Sequence, residues 1–112
     1  MPGEALAQKH CVPCKGGTPA LAGSALESFA AQLPEWTVAD DHHLYRAFSF
    51  PDFRSALAFV NRVGEVAEDE GHHPDIELGW GRAGVKIYTH KVNGLTESDF
   101  ILAAKIDALP RQ

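Results

Sequence analysis

Two adjacent histidines, with a carboxylate one helical turn before them, form the part of this chain best suited to chemistry. His72 and His73 directly precede Pro74, and Glu68 lies four residues before His72. Imidazole has an unperturbed pKa of about 6.5, so it can accept or donate a proton near neutral pH. If the segment before the pair is helical, the Glu68 carboxylate can orient or charge the His72 imidazole. The pair is therefore a candidate for proton transfer.

A third histidine, His90, is expected to lie close to this pair. A residue before proline is pushed toward extended backbone, so His73 should begin an extended segment in which neighbouring side chains point to opposite sides. The two imidazoles then cannot easily hold one ion, but they can stand on two walls of one cleft, or one can cap the preceding helix. His90 ends the second strand of the hairpin that His73 begins, and antiparallel pairing brings those ends together. The spacing predicts that three imidazoles converge.

Each of these residues also has a simpler interpretation. An exposed His-His pair after a helix is often only a favourable cation at the helix C-terminus, and His90 taken alone is an ordinary strand-end residue. Asp99, three residues after Thr96, can simply complete the cap of a helix. Trp80 is interpreted as a core residue on an apolar strand face rather than as a ring that stacks on a ligand. The joint spacing of the set, and no single member, favours a functional site.

Three helices are predicted from apolar residues spaced three and four apart. The first opens with Ser24 and Glu27 at capping-box spacing. The second has Pro51 in its first turn and stops at Gly71, which suits a C-terminal cap, and the third is capped by Thr96. The positions expected to face the core are Leu26, Phe29, Ala30 and Leu33 of the first helix, Phe53, Ala56, Leu57, Val60, Val63 and Ala67 of the second, and Phe100, Ala103, Ile106 and Leu109 of the third.

Two hairpins are predicted between the helices. Alternating apolar residues run through residues 36–50 and again through residues 76–89, where the sequence Gly-Arg-Ala-Gly at 81–84 supplies turn residues. The order helix, hairpin, helix, hairpin, helix predicts an α+β domain, with a four-stranded antiparallel sheet and three helices packed on one face. We assign residues 21–112 to this domain and residues 1–20 to an N-terminal tail.

Length and charge exclude several classes of protein. A chain of 112 residues suits one compact domain. The formal net charge is −5 with dispersed Lys and Arg, so there is no basic stripe for direct nucleic-acid binding. Apolar runs are far shorter than a membrane span, and the first ten residues lack the basic and apolar regions of a signal peptide, so we expect a cytoplasmic protein that does not bind membranes.

The predicted tail carries a CxxC motif, formed by Cys11 and Cys14 with His10 beside it. Such spacing can serve redox chemistry or supply half of a zinc site, but the chain has no second CxxC motif. A thioredoxin-like motif opens a helix, whereas glycines and a proline follow here. A packed or flexible pair of thiols is therefore the preferred interpretation.

The candidate residues taken together resemble the signature of the pterin-4a-carbinolamine dehydratases. The similarity runs from about Ala20 to Leu109. It implies the α+β fold, a homodimer or homotetramer, and no cofactor or bound metal. It also implies one reaction, the loss of water from a 4a-hydroxytetrahydropterin to give the quinonoid dihydropterin, a step in pterin recycling. The matching residues are Glu68, His72, His73, Pro74, Trp80, His90 and Asp99.

The same resemblance implies a role for each site residue. His72 and His73 would transfer protons, His90 would bind and polarise the ring, and Glu68 and Asp99 would orient them. Eliminating a hydroxyl needs a proton for the departing oxygen and an acceptor for a ring proton, which imidazoles can supply. The residues expected to bind the substrate are His72, His73, Pro74, Thr89, His90 and Lys91.

Two other functions stay open at the level of sequence. A zinc hydrolase could use His72, His73, His90 and Asp99 as ligands, although the HExxH and HxH spacings that place two imidazoles on one side are absent. A non-catalytic interaction module could use the sheet or helix faces to build an oligomer, and its histidines would then be replaceable.

Overall fold

A four-stranded antiparallel sheet is the frame of the molecule in the computed structural model, which describes residues 4–11 and 19–111. The strands are β1 (Thr37–Ala39), β2 (His43–Ser49), β3 (Asp75–Gly79) and β4 (Arg82–Ile87). Their spatial order is β1-β2-β4-β3, so the two hairpins join through the pairing of β2 with β4. The predicted sheet is confirmed.

Four α-helices and one 3₁₀ turn complete the described part of the chain. They are α1 (Glu4–Ala7), α2 (Gly23–Ala31), α3 (Phe53–Glu70), the 3₁₀ turn (His90–Val92) and α4 (Glu97–Asp107). The helices α2, α3 and α4 match the three predicted ones, and the short α1 lies in the segment assigned to the tail. None of the helices in the described residues is long and apolar enough to span a membrane.

One face of the sheet is buried beneath the helices. Alternate residues of a strand share a face, and Leu44 and Phe48 of β2 are buried together with Ala83, Val85 and Ile87 of β4. The opposite face is polar. Helix α4 is buried over most of its surface and contacts α1, α2 and α3, so Ser98, Asp99 and Phe100 of its first turn lie inside the molecule.

Two predicted helix ends place the candidate residues. Gly71 ends α3 in the left-handed conformation with φ of 65°, which glycine adopts without steric cost. Thr96 begins α4 with a capping box, in which its side chain accepts from the Asp99 N–H and the Asp99 side chain accepts from the Thr96 N–H. Both caps are confirmed.

The predicted start of the first helix is wrong by two residues, because the N-cap is Ala22 and not Ser24. Helix α2 begins at Gly23 after Ala22, whose side chain has no oxygen to offer as a cap, so Ser24 lies inside the helix.

The predicted start and buried face of the second helix also need correction. Helix α3 begins at Phe53, because the Asp52 carboxylate accepts from the Ser55 N–H at 2.8 Å and caps it, so Pro51 precedes the first turn. The buried stripe is Ala56, Phe59, Val63 and Ala67. Phe53, at 43% exposure, and Leu57 lie beside this stripe and remain exposed.

The turn of the second hairpin is shorter than predicted. Gly79 pairs with Arg82, so the turn consists of Trp80 and Gly81, and residues 82–84 belong to β4. Gly81 has φ of 71°, as such a tight turn requires. Trp80 is therefore at the tip of the hairpin and 74% exposed, and its interpretation as a core residue is wrong.

Candidate active site

His72 and Asp99 form the most buried polar pair of the candidate site. His72 Nε2 lies 2.5 Å from Asp99 Oδ1, with the His72 side chain 15% exposed and the Asp99 side chain fully buried. Gly71 causes this arrangement, because its left-handed backbone turns the chain away from the α3 axis. His72 N–H still donates to Ala67 O, while the imidazole reaches α4.

Three donors hold the buried Asp99 carboxylate. Its Oδ2 accepts from the Thr89 hydroxyl and from the Thr96 N–H, both at 2.8 Å, and Oδ1 faces His72. A buried carboxylate is costly unless such partners satisfy it, and here both oxygens have partners. An ionised carboxylate only accepts, and His72 therefore donates Nε2–H to it. Neutral His72 then carries its lone pair on Nδ1, where it can accept a proton.

Asp99 therefore combines the two functions that the sequence left as alternatives. Its Oδ2 caps α4, and its Oδ1 lies within hydrogen-bond distance of His72 Nε2.

Glu68 contacts the second histidine of the pair rather than the first. His73 Nε2 lies 2.8 Å from Glu68 Oε1, with side chains that are 61% and 79% exposed. The predicted contact of Glu68 with His72 assumed that helical spacing extends to His72, whereas the helix ends at the Gly71 cap. Because both side chains are exposed, solvent screens this ion pair and its contribution to stability is small.

His90 lies in the 3₁₀ turn that follows β4 and is exposed. Its ring packs against Tyr88 in a tilted arrangement, with centroids 4.2 Å apart and planes 38° from parallel. The preceding residue, Thr89, donates to Asp99, which also binds His72. A chain of covalent and hydrogen bonds therefore connects the backbone of His90 to the His72–Asp99 pair.

An open groove of about 770 Å³ lies between α3 and β3, on the side of His73. Glu68, His73 and Pro74 are among the residues that line this groove. Lys91 is exposed on the 3₁₀ turn. The remaining lining residues are Asn61, Gly64, Glu65, Ala67, Asp69 and Ile76.

A second group of rings, which was not predicted from the sequence, lies next to His90. His42 packs against Tyr88 in a tilted arrangement with centroids 4.5 Å apart, and His42 Nδ1 lies 3.2 Å from His43 Nδ1. Burial, the nearby Lys86 ammonium and His42 lower the pKa of the His43 imidazole. The available signal was a second His-His pair in the chain, placed directly after the two aspartates of the first hairpin loop.

The N-terminal segment packs against the back of the candidate site. Leu6 of α1 is buried, Cys11 N–H donates to Glu70 Oε1 at 2.7 Å, and Cys11 Sγ donates to Ser98 O at 3.3 Å. Burial and the nearby Glu70 and Asp99 carboxylates raise the pKa of the Cys11 thiol to about 12. Cys11 is therefore a packed, protonated thiol, and Cys14 lies outside the described residues.

The Glu70 carboxylate holds the N-terminal segment through polar contacts with His10 and Cys11. Burial by itself raises the pKa of its carboxyl, but the Cys11 N–H, the His10 imidazole and the Lys105 ammonium together lower it below the ordinary value. His10 Nδ1 lies 3.0 Å from Glu70 Oε2.

Within residues 4–11 and 19–111, no group of three or more His, Cys, Asp or Glu side chains could hold a metal ion.

Comparison with known proteins assigns this fold and these residues to a family. The model of the family described as pterin 4 alpha carbinolamine dehydratase matches residues 19–109. The chain belongs to this family.

Similar proteins cover nearly the whole chain. A protein of Rubrobacter xylanophilus is 64% identical over 104 residues, which are 93% of this chain and 97% of that protein. A protein of Halorhodospira halophila is 55% identical over 105 residues, or 93% of this chain and 96% of its own length. Both are provisionally named as pterin-4-alpha-carbinolamine dehydratases.

Two solved structures share the fold. A transcriptional coactivator/pterin dehydratase from Brucella melitensis has a TM-score of 0.74 and 32% identity, covering 80% of this chain and 96% of that one. A pterin dehydratase-like protein identified as a RuBisCO assembly factor in the alpha-carboxysome has a TM-score of 0.54 and 22% identity, covering 65% and 83%. The second likeness concerns the fold alone.

Proposed function

We propose that this protein removes water from a 4a-hydroxytetrahydropterin to give the quinonoid dihydropterin, by histidine acid–base catalysis. The observation that carries the proposal is the buried His72–Asp99 pair, joined to consecutive His73 and to the turn that holds His90. Membership of the family supports the pterin substrate. The cytoplasmic location, the homo-oligomer and the role in pterin recycling belong to the same proposal.

In this reaction the bond between C4a and the hydroxyl oxygen breaks, and the hydroxyl leaves as water after it gains a proton. A ring N–H loses its proton, and the electron pair that remains completes the new double bond. One acid and one base therefore suffice, and positioned groups of this kind typically accelerate such steps about 10² to 10⁴-fold.

His72 is the proposed base. Its Nε2–H donates to the ionised Asp99, so its Nδ1 can take the ring proton, and the buried carboxylate stabilises the imidazolium that forms. His73, paired with the exposed Glu68, is the proposed acid for the departing hydroxyl. His90 binds and polarises the ring, with Pro74 and Lys91 at its border.

Thr89 supports Asp99 in this proposal instead of binding the substrate through its side chain. Its hydroxyl donates to Asp99, its N–H donates to Gly94 O at 2.9 Å, and its carbonyl accepts from Val92 N–H at 3.2 Å. These groups are already bonded within the protein.

The test compares wild type with His72→Ala and His73→Ala in the dehydration of 4a-hydroxytetrahydropterin, generated in place by a hydroxylase and followed by absorbance. We expect each variant to lose at least about 100-fold of the acceleration, because each removes one proton-transfer group. His10→Ala, which removes an exposed imidazole bound to Glu70, is the matched control and should keep full activity. Equal rates for all four proteins would overturn the assignment.

An interaction module is the second candidate, because the chain exposes large apolar side chains. Trp80, Phe53 and Leu57 are exposed, and apolar surface of this kind often marks a contact with another protein. The 32% identical solved structure described as a transcriptional coactivator/pterin dehydratase agrees with such a use of the fold. In that case Trp80→Ser would abolish partner binding, whereas His72→Ala and His73→Ala would preserve it.

A zinc hydrolase is tested separately, by measuring the metal content of the purified protein. Stoichiometric zinc that is required for hydrolysis and lost in His72→Ala would favour this alternative.

A further inference from the structure

Four aromatic rings lie in contact with one another at the turn that carries His90. We call His42, His43, Tyr88 and His90 the ring cluster. The Tyr88 ring contacts two imidazoles, His90 at 4.2 Å and His42 at 4.5 Å between centroids, with planes 38° and 40° from parallel. The ammonium of Lys86 lies 5.6 Å from the Tyr88 centroid, over the ring. Three members of the cluster lie outside the set of residues assigned to the reaction.

A hydrogen bond ties the same turn to the first hairpin. His42 Nε2 lies 2.9 Å from Asn93 Oδ1, and Asn93 directly follows the 3₁₀ turn. Asn93 adopts the left-handed conformation with φ of 52°, and its N–H donates to His90 O at 3.2 Å. The backbone of His90 is thereby linked to the side chain of His42.

The hydrogen bond to the Asn93 amide determines which ring nitrogen of His42 donates. An amide oxygen only accepts, so His42 donates Nε2–H to Asn93. Neutral His42 then has its lone pair on Nδ1, which faces His43 Nδ1 at 3.2 Å and accepts a hydrogen bond from it. The two hydrogen bonds together fix the orientation of the His42 ring that packs against Tyr88.

The loop that supplies His42 has a defined backbone. Asp40 and Asp41 have φ of 55° and 52°, and His42 N–H donates to Ala39 O at 2.9 Å. His42 therefore starts from a tight turn that β1 and β2 hold on both sides. A ring presented in this way can act as a fixed support.

We infer that Tyr88, and His42 through Asn93, are positioning residues that hold the His90 imidazole in the orientation needed for dehydration. This inference rests on the proposed function. An exposed imidazole samples several rotamers, and a ring stacked against it restricts them. Misplacing a group that contacts the substrate by about 1 Å can lower a rate about 100-fold, so such restraint has a direct effect on the reaction.

The test uses three variants of the full chain. Tyr88→Phe keeps the ring, Tyr88→Ser removes it, and Asn93→Gly keeps the left-handed backbone but removes the bond to His42. The His90 imidazole proton shifts are measured by NMR, because stacking on Tyr88 produces a ring-current shift. The values of kcat and KM for dehydration are measured on the same samples.

We expect Tyr88→Phe to resemble wild type in both measurements. Tyr88→Ser should lose the ring-current shift of His90 and lower kcat by about tenfold, because the imidazole is no longer restricted. Asn93→Gly should give a smaller loss of kcat, and it provides a second test if Tyr88→Ser does not fold.

Three results would overturn the inference, and they are distinguishable. A folded Tyr88→Ser that keeps wild-type kcat leaves the dehydratase proposal intact but removes the role of Tyr88, whether or not the His90 signals move. An Asn93→Gly variant with unchanged kcat and His90 shifts removes the role of the His42 bond. An inactive wild type overturns the proposed function, and this inference with it.

Discussion

The charge of Asp99 matters most at the scale of single residues, because this side chain is fully buried between His72 and two threonines. In Asp99→Asn, an amide nitrogen facing His72 Nε2 would force the imidazole into the other tautomer, with its proton on Nδ1. We therefore predict that Asp99→Asn lowers kcat by about 10² to 10⁴-fold, since the proposed base loses its lone pair. Kinetics of the folded variant test this.

Glu97→Gln is the matched control for Asp99→Asn. Glu97 also lies in the first turn of α4, but its carboxylate pairs with Lys9 at 2.7 Å instead of a histidine. Both substitutions remove one negative charge near the N-terminus of α4. A similar loss of kcat in both variants would show that the helix, and not the His72 tautomer, accounts for the effect.

His43 gives a prediction about pH and stability. Its pKa is lowered from the ordinary 6.5 by burial, by Lys86 and by His42. The unfolded chain therefore binds the proton more readily, and stability that is present above about pH 6.5 is lost as the pH falls through the folded pKa. We predict that the free energy of unfolding falls less steeply between pH 7.5 and pH 5 in His43→Gln than in wild type. Parallel curves in urea unfolding experiments would contradict this.

The docked N-terminal segment can be tested at the scale of elements. Cys11 has a pKa raised to about 12 from 9.0, so at pH 8 its thiolate fraction is roughly a thousandfold below that of a free thiol. We predict that iodoacetamide alkylates Cys11 slowly in a Cys14→Ser background. Adding Glu70→Ala should accelerate the reaction, because it removes the acceptor that holds the Cys11 N–H.

Glu65→Ala is the control for that experiment, since Glu65 is an exposed carboxylate on the same helix. It should leave the alkylation rate unchanged. Equal rates in wild type, Glu65→Ala and Glu70→Ala would mean that Glu70 does not anchor the segment.

The sequence predicted the elements better than it predicted their faces and turns. Glycine adopts the left-handed conformation without steric cost, and threonine has a side-chain oxygen that can cap a helix, so the helix ends at Gly71 and Thr96 were predictable. The stripe of α3 was predicted only in part. Ala56, Val63 and Ala67 are buried as expected, but Phe53 and Leu57 fit a helical period equally well, and only the packed sheet selects Phe59 instead. The turn at Trp80 and Gly81 was hidden by the extra glycine at position 84, which lies inside β4.

The partners of the candidate residues were only partly predictable for a similar reason. The structure brings Asp99 to His72, and it places Glu68 on His73 because the αL cap at Gly71 interrupts helical spacing. Contacts across the fold, such as Tyr88 with His42, depend on the pairing of β2 with β4 and leave no periodic signal in the chain.

At the scale of the whole molecule, the two proposed functions depend on different surfaces. The histidines lie around the ends of α3 and β4, whereas exposed Trp80 and Phe53 lie at the hairpin tip and at the start of α3. We therefore predict that a substitution at one of these surfaces changes one proposed function and leaves the other unchanged.

The most direct measurement is the rate at which metal-stripped wild-type protein dehydrates 4a-hydroxytetrahydropterin, compared with the spontaneous rate. We predict that the stripped protein accelerates the reaction in proportion to its concentration, because the imidazoles supply both proton transfers. A folded, stripped protein that leaves the spontaneous rate unchanged would contradict acid–base catalysis by these histidines.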